Sequence, residues 1–337
     1  MSRRAQFIFF CLGIVVFGYL VERIGIARLW ADAVATGWMI VPIVLLYAVV
    51  YACNAGALRV IMRDEPGCPT FTRTYAIVVA GSAINFVTPI VNVGGEPYKI
   101  TALAPALGAL RAAGAVILHT MVRTFGLLLV WFTALLLGFV LLPQTRLNSG
   151  LLIAGVLLVG ALIGLLVSGH RRGILERMLN RGHRLPLLRN LARRFEARRP
   201  ALAAADKQIT DFYHRHPRRF LGALLLEYGS RWLFVLELCL IGASIGVRVR
   251  YLDGFVIAGL ESLITNLLFF VPFELGTRES STYILFHQLG YTSSLGLYAA
   301  LVSRVRDLIW IAAGLGLMWA GGGRRSAAEP TEGDASA

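Results

Sequence analysis

Twelve charged residues stand inside long apolar runs: Glu96, Arg123, Glu227, Arg231, Glu237, Glu261, Glu274, Arg278, Glu279, Arg304, Arg306 and Asp307. Two pairs among them keep one register, since Arg123 follows Glu96 by 27 residues and Arg306 follows Glu279 by 27. Carboxylates and guanidiniums so placed support two kinds of chemistry. They can close on each other as ion pairs that staple one segment to another, or the carboxylate can release the guanidinium to take a phosphate through planar, bidentate hydrogen bonds. Each glutamate ends a similar stretch. Thr88-Pro89-Ile90-Val91-Asn92-Val93-Gly94-Gly95-Glu96-Pro97 recurs in altered form as Val271-Pro272-Phe273-Glu274-Leu275-Gly276-Thr277-Arg278-Glu279. In both copies a proline, Pro89 or Pro272, closes an apolar run, and glycine follows at Gly94 and Gly95 or at Gly276. Glycine lets the backbone turn and exposes amide donors to an anion. Lys99, Arg278 and Arg304 stand beside these breaks and complete the expected binding set.

Other polar residues in the apolar runs have plainer readings. Glu227 and Arg231, four apart on one helical face, are placed to neutralise each other. His119, four residues before Arg123, reads as a packed, neutral histidine. Asn85 and Asn266 precede the two prolines, where they can bond freed carbonyls or serve as satisfied polar groups within a bundle. Trp30, Trp38 and Trp310 lie near run ends, as interface anchors do. Nucleotide-binding and zinc-protease signatures are missing: the sequence has no GxxxxGK[ST] or HExxH,. Its four cysteines, at 11, 53, 68 and 239, have no CxxC or metal-ligand spacing,. No catalytic residue, metal site or cofactor is therefore expected.

The elements that must position these residues are membrane helices. The chain is 57% hydrophobic with a mean hydropathy of +0.67, and several runs reach the ~20 residues that cross a ~30 Å hydrocarbon core. The net charge of +14 suggests no nucleic-acid partner, because 14 of the 33 basic residues fall between His170 and Phe220, outside any apolar run. That segment, residues 170–219, fits a cytosolic loop under the positive-inside bias and a surface for anionic lipid headgroups. Spanning helices are expected at Phe7 to Val21, Trp38 to Leu58, Ala112 to Leu142, Leu151 to Ser168, Phe220 to Ala243 and Leu295 to Ala320. The segment from Tyr75 to Arg111 decides the topology. If it crossed the membrane, the basic segment would face outward; if it enters, turns at Pro89 to Gly95 and returns, that segment stays inside.

The second broken segment, Phe255 to Gly290, then enters from the opposite side. The expected fold is an all-α polytopic membrane protein of about six spanning helices plus two broken re-entrant hairpins in an inverted repeat. Repeat 1 covers about residues 38–142 and repeat 2 about 220–320, within one transmembrane domain at 1–320. A disordered tail is expected at 321–337.

At Asn85 to Lys99, with its proline and Gly-Gly-Glu pattern, and at Pro272 to Glu279 with Arg304 to Asp307, the chain resembles the flippase-like membrane proteins related to the transmembrane region of lysylphosphatidylglycerol synthase. That group includes a hopanoid-biosynthesis-associated membrane protein. The resemblance runs over about residues 5 to 320. Where the family tends to have glycines after the second proline, this chain has Phe273 and Glu274. The resemblance implies movement of a polar-headed lipid between leaflets of a bacterial inner membrane, with membrane lipids as partners. No segment here corresponds to the synthase's soluble aminoacyl-transfer domain, which implies moving or organising lipid rather than making it.

The leading expectation is a lipid flippase in which Arg123 and Arg306 hold an anionic or phosphate-bearing headgroup, Glu96 and Glu279 gate them, and both termini are cytosolic. The alternative is a non-transporting scaffold that gathers lipid-biosynthesis or glycan enzymes through residues 170–219. The sequence sets neither the lipid nor the oligomeric state.

Overall fold

The computed structural model describes residues 27, 30, 34–87, 94–170, 216–269, 271, 274 and 276–326. Among these residues the chain is helical, with no strand. The helices are α1 (Ile40–Ile61), α2 (Phe71–Val87), α3 (Gly95–Leu107), α4 (Ala109–Leu141), α5 (Arg146–His170), α6 (Pro217–Ser244), α7 (Tyr251–Leu267), α8 (Thr277–Gln288) and α9 (Ser293–Ser326). A helix satisfies its own backbone, which an apolar solvent demands. Among the described residues three stretches are long and apolar enough to cross a membrane: Val34–Ile61, Ala109–Leu141 and Arg146–Val167. Helices α6 and α9, of 28 and 34 residues, have the length but carry the buried charges Glu227, Glu237, Arg304, Arg306 and Asp307. On α5, Leu147, Leu151, Leu157 and Leu165 are exposed, the face expected toward lipid.

Helix lengths repeat. A 17-residue helix (α2) followed by a 13-residue helix (α3) is matched by 17 residues (α7) and 12 residues (α8). At 1.5 Å per residue these are about 25 and 20 Å long, short of a ~30 Å core. Each pair leads into a long helix, α4 or α9. Packing repeats as well when the set α1–α4 is exchanged with the set α6–α9. Helix α2 packs on α9 as α7 packs on α4, α3 packs on α4 as α8 packs on α9, and α1 and α6 pack on each other.

Polar contacts at the helix termini define two ends of the bundle. At one end, Asp64 pairs with Arg219 at the start of α6, and Glu65 lies 3.7 Å from Arg111 at the start of α4. The neighbouring Arg219 holds the exposed Asp64 carboxyl below the usual carboxylate range. Gly67, with φ +85°, sits against the Ala106 carbonyl near the end of α3, where a Cβ would come within 2.2 Å. The α2–α3 pair thus begins and finishes at this end. At the other end, the Tyr291 hydroxyl, just beyond α8, donates to Asp253 near the start of α7 at 2.7 Å. The Arg250 backbone N–H donates to that same hydroxyl at 3.0 Å, so the α7–α8 pair begins and finishes there. Helix α6 joins the two ends.

The helix expected at Phe7 to Val21 and residues 171–215 of the basic segment lie outside the described residues, as do Pro89 and Pro272. Helix α9 runs through Ser326, and residues 327–337 of the expected tail lie outside the described residues. One expectation needs correction. Trp310 is no interface anchor: its Nε1 donates to the Val44 carbonyl at 3.1 Å, and its ring lies 5.0 Å from that of Tyr51 inside the bundle.

Candidate functional site

The first cluster of charges is built on the contact between α2 and α3. Asn85 Oδ1 accepts the Gly95 N–H at 2.6 Å, which satisfies one of the amides that every helix start leaves without an internal partner. The approach requires glycine, since a Cβ on Gly95 would stand 2.1 Å from the Gly81 carbonyl. Over Gly81 lies the Lys99 stem, which is 2% exposed, and its ammonium is 3.7 Å from Glu96. Asn85 Nδ2 donates to Glu96 Oε1 at 3.4 Å. Helix α4 contributes His119 and Arg123, and α6 contributes Glu227 and Arg231. His119 Nε2 and Glu227 Oε1 are 2.9 Å apart and buried.

Arg123 stands within range of direct charge–charge interaction with Lys99, Glu227 and Arg231. Among the described residues neither Arg123 nor Arg231 has a carboxylate within 4 Å or a hydrogen bond from its side chain. Three bases, Lys99, Arg123 and Arg231, therefore face two carboxylates, one of them already committed to His119. This part of the bundle carries a surplus of positive charge.

The second cluster surrounds the start of α8. Gly276 takes φ +83° and Glu274 φ +55°, the left-handed region that favours glycine. Glu274 thus occupies a backbone position that favours glycine,. Several bonds hold it there. Its carboxylate accepts from Arg278 Nη2 at 2.9 Å, and its carbonyl accepts from Arg304 Nη2 and Thr277 Oγ1, each at 3.0 Å. Glu279 Oε2 accepts the Gly276 N–H at 2.8 Å, while its Oε1 accepts from Arg304 at 3.1 Å. Arg278 also bonds Asp307 at 2.7 Å.

Arg306, 1% exposed, is fully engaged. It pairs with Glu237, donates from Nε to Asp307 Oδ1 at 3.0 Å with Nη2 2.8 Å from the same oxygen, and stacks 3.7 Å over the Tyr47 ring of α1. Ser303 donates to the other oxygen of Glu237 at 3.1 Å. The guanidinium thus ties α9 to α6 and to α1, across the two sets of helices.

The expected partners are exchanged. Glu279 pairs with Arg304 instead of Arg306, and Arg306 takes Glu237 and Asp307. Glu96 takes Lys99 and Asn85, and no ion pair joins it to Arg123 among the described residues. Glu227 bonds His119 rather than Arg231. Asn85 serves the Gly95 amide and Glu96, and Asn266 donates back to Ser262 O of its own helix at 2.8 Å. Sequence reasoning missed Glu237 as the partner of Arg306 and Glu227 as the partner of His119. Their only signal was charge within an apolar run, which says that a partner exists and not which one.

Against known proteins, a family model described as the lysylphosphatidylglycerol synthase TM region matches residues 6–316. No curated protein and no solved structure matches the chain. The matched span takes in both pairs of short helices and both charge clusters. Together with the apolar helices this marks an integral membrane protein, and the chain belongs to the family of the lysylphosphatidylglycerol synthase TM region.

Proposed function

We propose that this protein moves an anionic-headed lipid between the leaflets of its membrane without altering it chemically, and that the headgroup is taken by Lys99, Arg123 and Arg231. The observation that carries the reading is the positive surplus of the first cluster. Unpaired cations are costly inside a membrane protein and mark a ligand path or a water-filled cavity. Guanidinium groups recognise phosphate by planar, bidentate bonding. Glu96, close to Lys99, is the carboxylate that competes with the headgroup for this cation.

The arrangement of helices suits such a task. We read α2–α3 and α7–α8 as re-entrant hairpins that enter from opposite faces, so that α1–α4 and α6–α9 form an inverted repeat. In transporters of this architecture broken hairpins hold their ligands near the membrane midplane. In a bacterial inner membrane the end that carries Arg63, Arg111 and Arg219 is the cytosolic one by the positive-inside bias. Both termini and the basic segment then lie on that side.

The test is lipid movement in vesicles that contain the purified protein and a labelled anionic lipid, with a labelled zwitterionic lipid for comparison. The double variant Arg123→Ala, Arg231→Ala is expected to fall to the protein-free rate for the anionic lipid while keeping its elution profile and thermal unfolding. Unchanged movement in that variant would overturn the assignment.

A further inference from the structure

The second cluster has the opposite imbalance. Five carboxylates, those of Glu237, Glu261, Glu274, Glu279 and Asp307, face the three guanidiniums of Arg278, Arg304 and Arg306. Uncompensated carboxylate charge held away from water is costly enough that one member of such a set keeps its proton. The bonding pattern identifies which one. Glu237 is held by Arg306 and Ser303, Asp307 by Arg306 and Arg278, Glu274 by Arg278, and Glu279 by Arg304 and the Gly276 amide.

Glu261, on α7, is the remaining acid. Its Oε1 is shut off from solvent and accepts no hydrogen bond among the described residues. The nearest donor, Arg278 Nε, is 3.5 Å away and equally without a bonded partner, and that distance exceeds an ordinary N–H···O bond. A neutral acid accounts for this geometry, because the guanidinium gives its bonds to the charged Asp307 and Glu274 and leaves Glu261 aside.

Glu261 lines a narrow cleft between α6, α7, α8 and α9, together with Phe234, Thr282, Ser303 and Arg306. The charged groups around it are Glu237 from α6, Glu274, Arg278 and Glu279 from α8 and the turn before it, and Arg304, Arg306 and Asp307 from α9. Among the described residues no three His, Cys, Asp or Glu side chains are placed to hold a metal ion. A single buried carboxylate without a hydrogen-bonded partner is the kind of group that keeps a proton,.

We propose that Glu261 is a proton-binding site, neutral while α7 and α8 are packed as described and ionised when the cleft opens to water. Resting on the transport reading, this makes the second cluster the place where lipid movement is coupled to protons: the first half holds the anion and the second the proton.

Infrared difference spectroscopy of the full chain in lipid nanodiscs, over roughly pH 5 to 9, tests it. The expected result is a protonated-carboxyl band that fades as pH rises, is lost in Glu261→Gln and is kept in Glu274→Gln. Absence of that band from the wild type at every pH, which needs no variant to fold, would overturn the proposal, as would its persistence in Glu261→Gln. In vesicles with an imposed pH gradient, the wild-type rate of lipid movement is expected to change with the gradient and the Glu261→Gln rate to ignore it. A wild type that moves no lipid would sink the transport reading, while the band would still decide the proton site.

Discussion

Arg123 and Arg306 hold matched positions in the sequence and opposite roles in the bundle. Arg306 satisfies two buried carboxylates and lies over an aromatic face. Removing it would leave Glu237 and Asp307 buried beside each other, and breaking a buried pair from one side costs about 3–5 kcal/mol. Arg123 has no bonded carboxylate to abandon, and its removal trades attraction to Glu227 against repulsion from Lys99 and Arg231. Arg306→Ala is therefore expected to lower the thermal unfolding midpoint in detergent steeply, and Arg123→Ala to change stability by less than about 1 kcal/mol. Equal losses in the two variants would show that Arg123 is a structural staple after all. The sequence displayed both arginines equally well. A register of 27 residues fixes position along the chain, yet Arg304 and Arg306 differ by about 200° around a helix, so spacing alone could not say which of them faces Glu279.

The short helices were the most legible elements, because proline and glycine break an apolar run in a way that composition cannot hide. What the sequence did not disclose is why glycine is needed. At Gly95 the requirement is contact between helices: the backbones of α2 and α3 approach so closely that a methyl group has no room. At Gly276 it is the left-handed backbone, in space that is otherwise open. Gly229, in the middle of α6, meets neither demand, since nothing lies within 4 Å of the place where its Cβ would stand. Gly95→Ala must push α3 off α2 and weaken the Asn85 bond to its first amide, a change of the kind that costs about 1–3 kcal/mol. Gly229→Ala should be neutral or stabilising by up to about 1 kcal/mol, as alanine is the better helix former. Thermal unfolding of the two variants checks the pair of expectations, and tolerance of alanine at Gly95 would refute the close approach.

Across the whole molecule the two halves repeat in helix lengths and packing but diverge in charge, positive in the first cluster and negative in the second. The proposed opposed hairpins would give such a divergence a use, because each half would then present its cluster near the middle of the membrane from a different side. That arrangement makes a definite statement about sidedness. Arg63 and Arg111 belong to the end where α2–α3 begins and finishes, while Thr145 and Thr292 belong to the end where α7–α8 does so. In a background without Cys11, Cys53, Cys68 and Cys239, single cysteines at 145 and 292 are expected to react with an impermeant thiol reagent added outside intact cells. Cysteines at 63 and 111 should react only after the membrane is opened. Crossing by α2–α3 would place 63 and 111 on opposite sides, and the labelling would then split that pair. Such a split would remove the opposed hairpins, and with them the reason for expecting anion and proton sites at a shared depth.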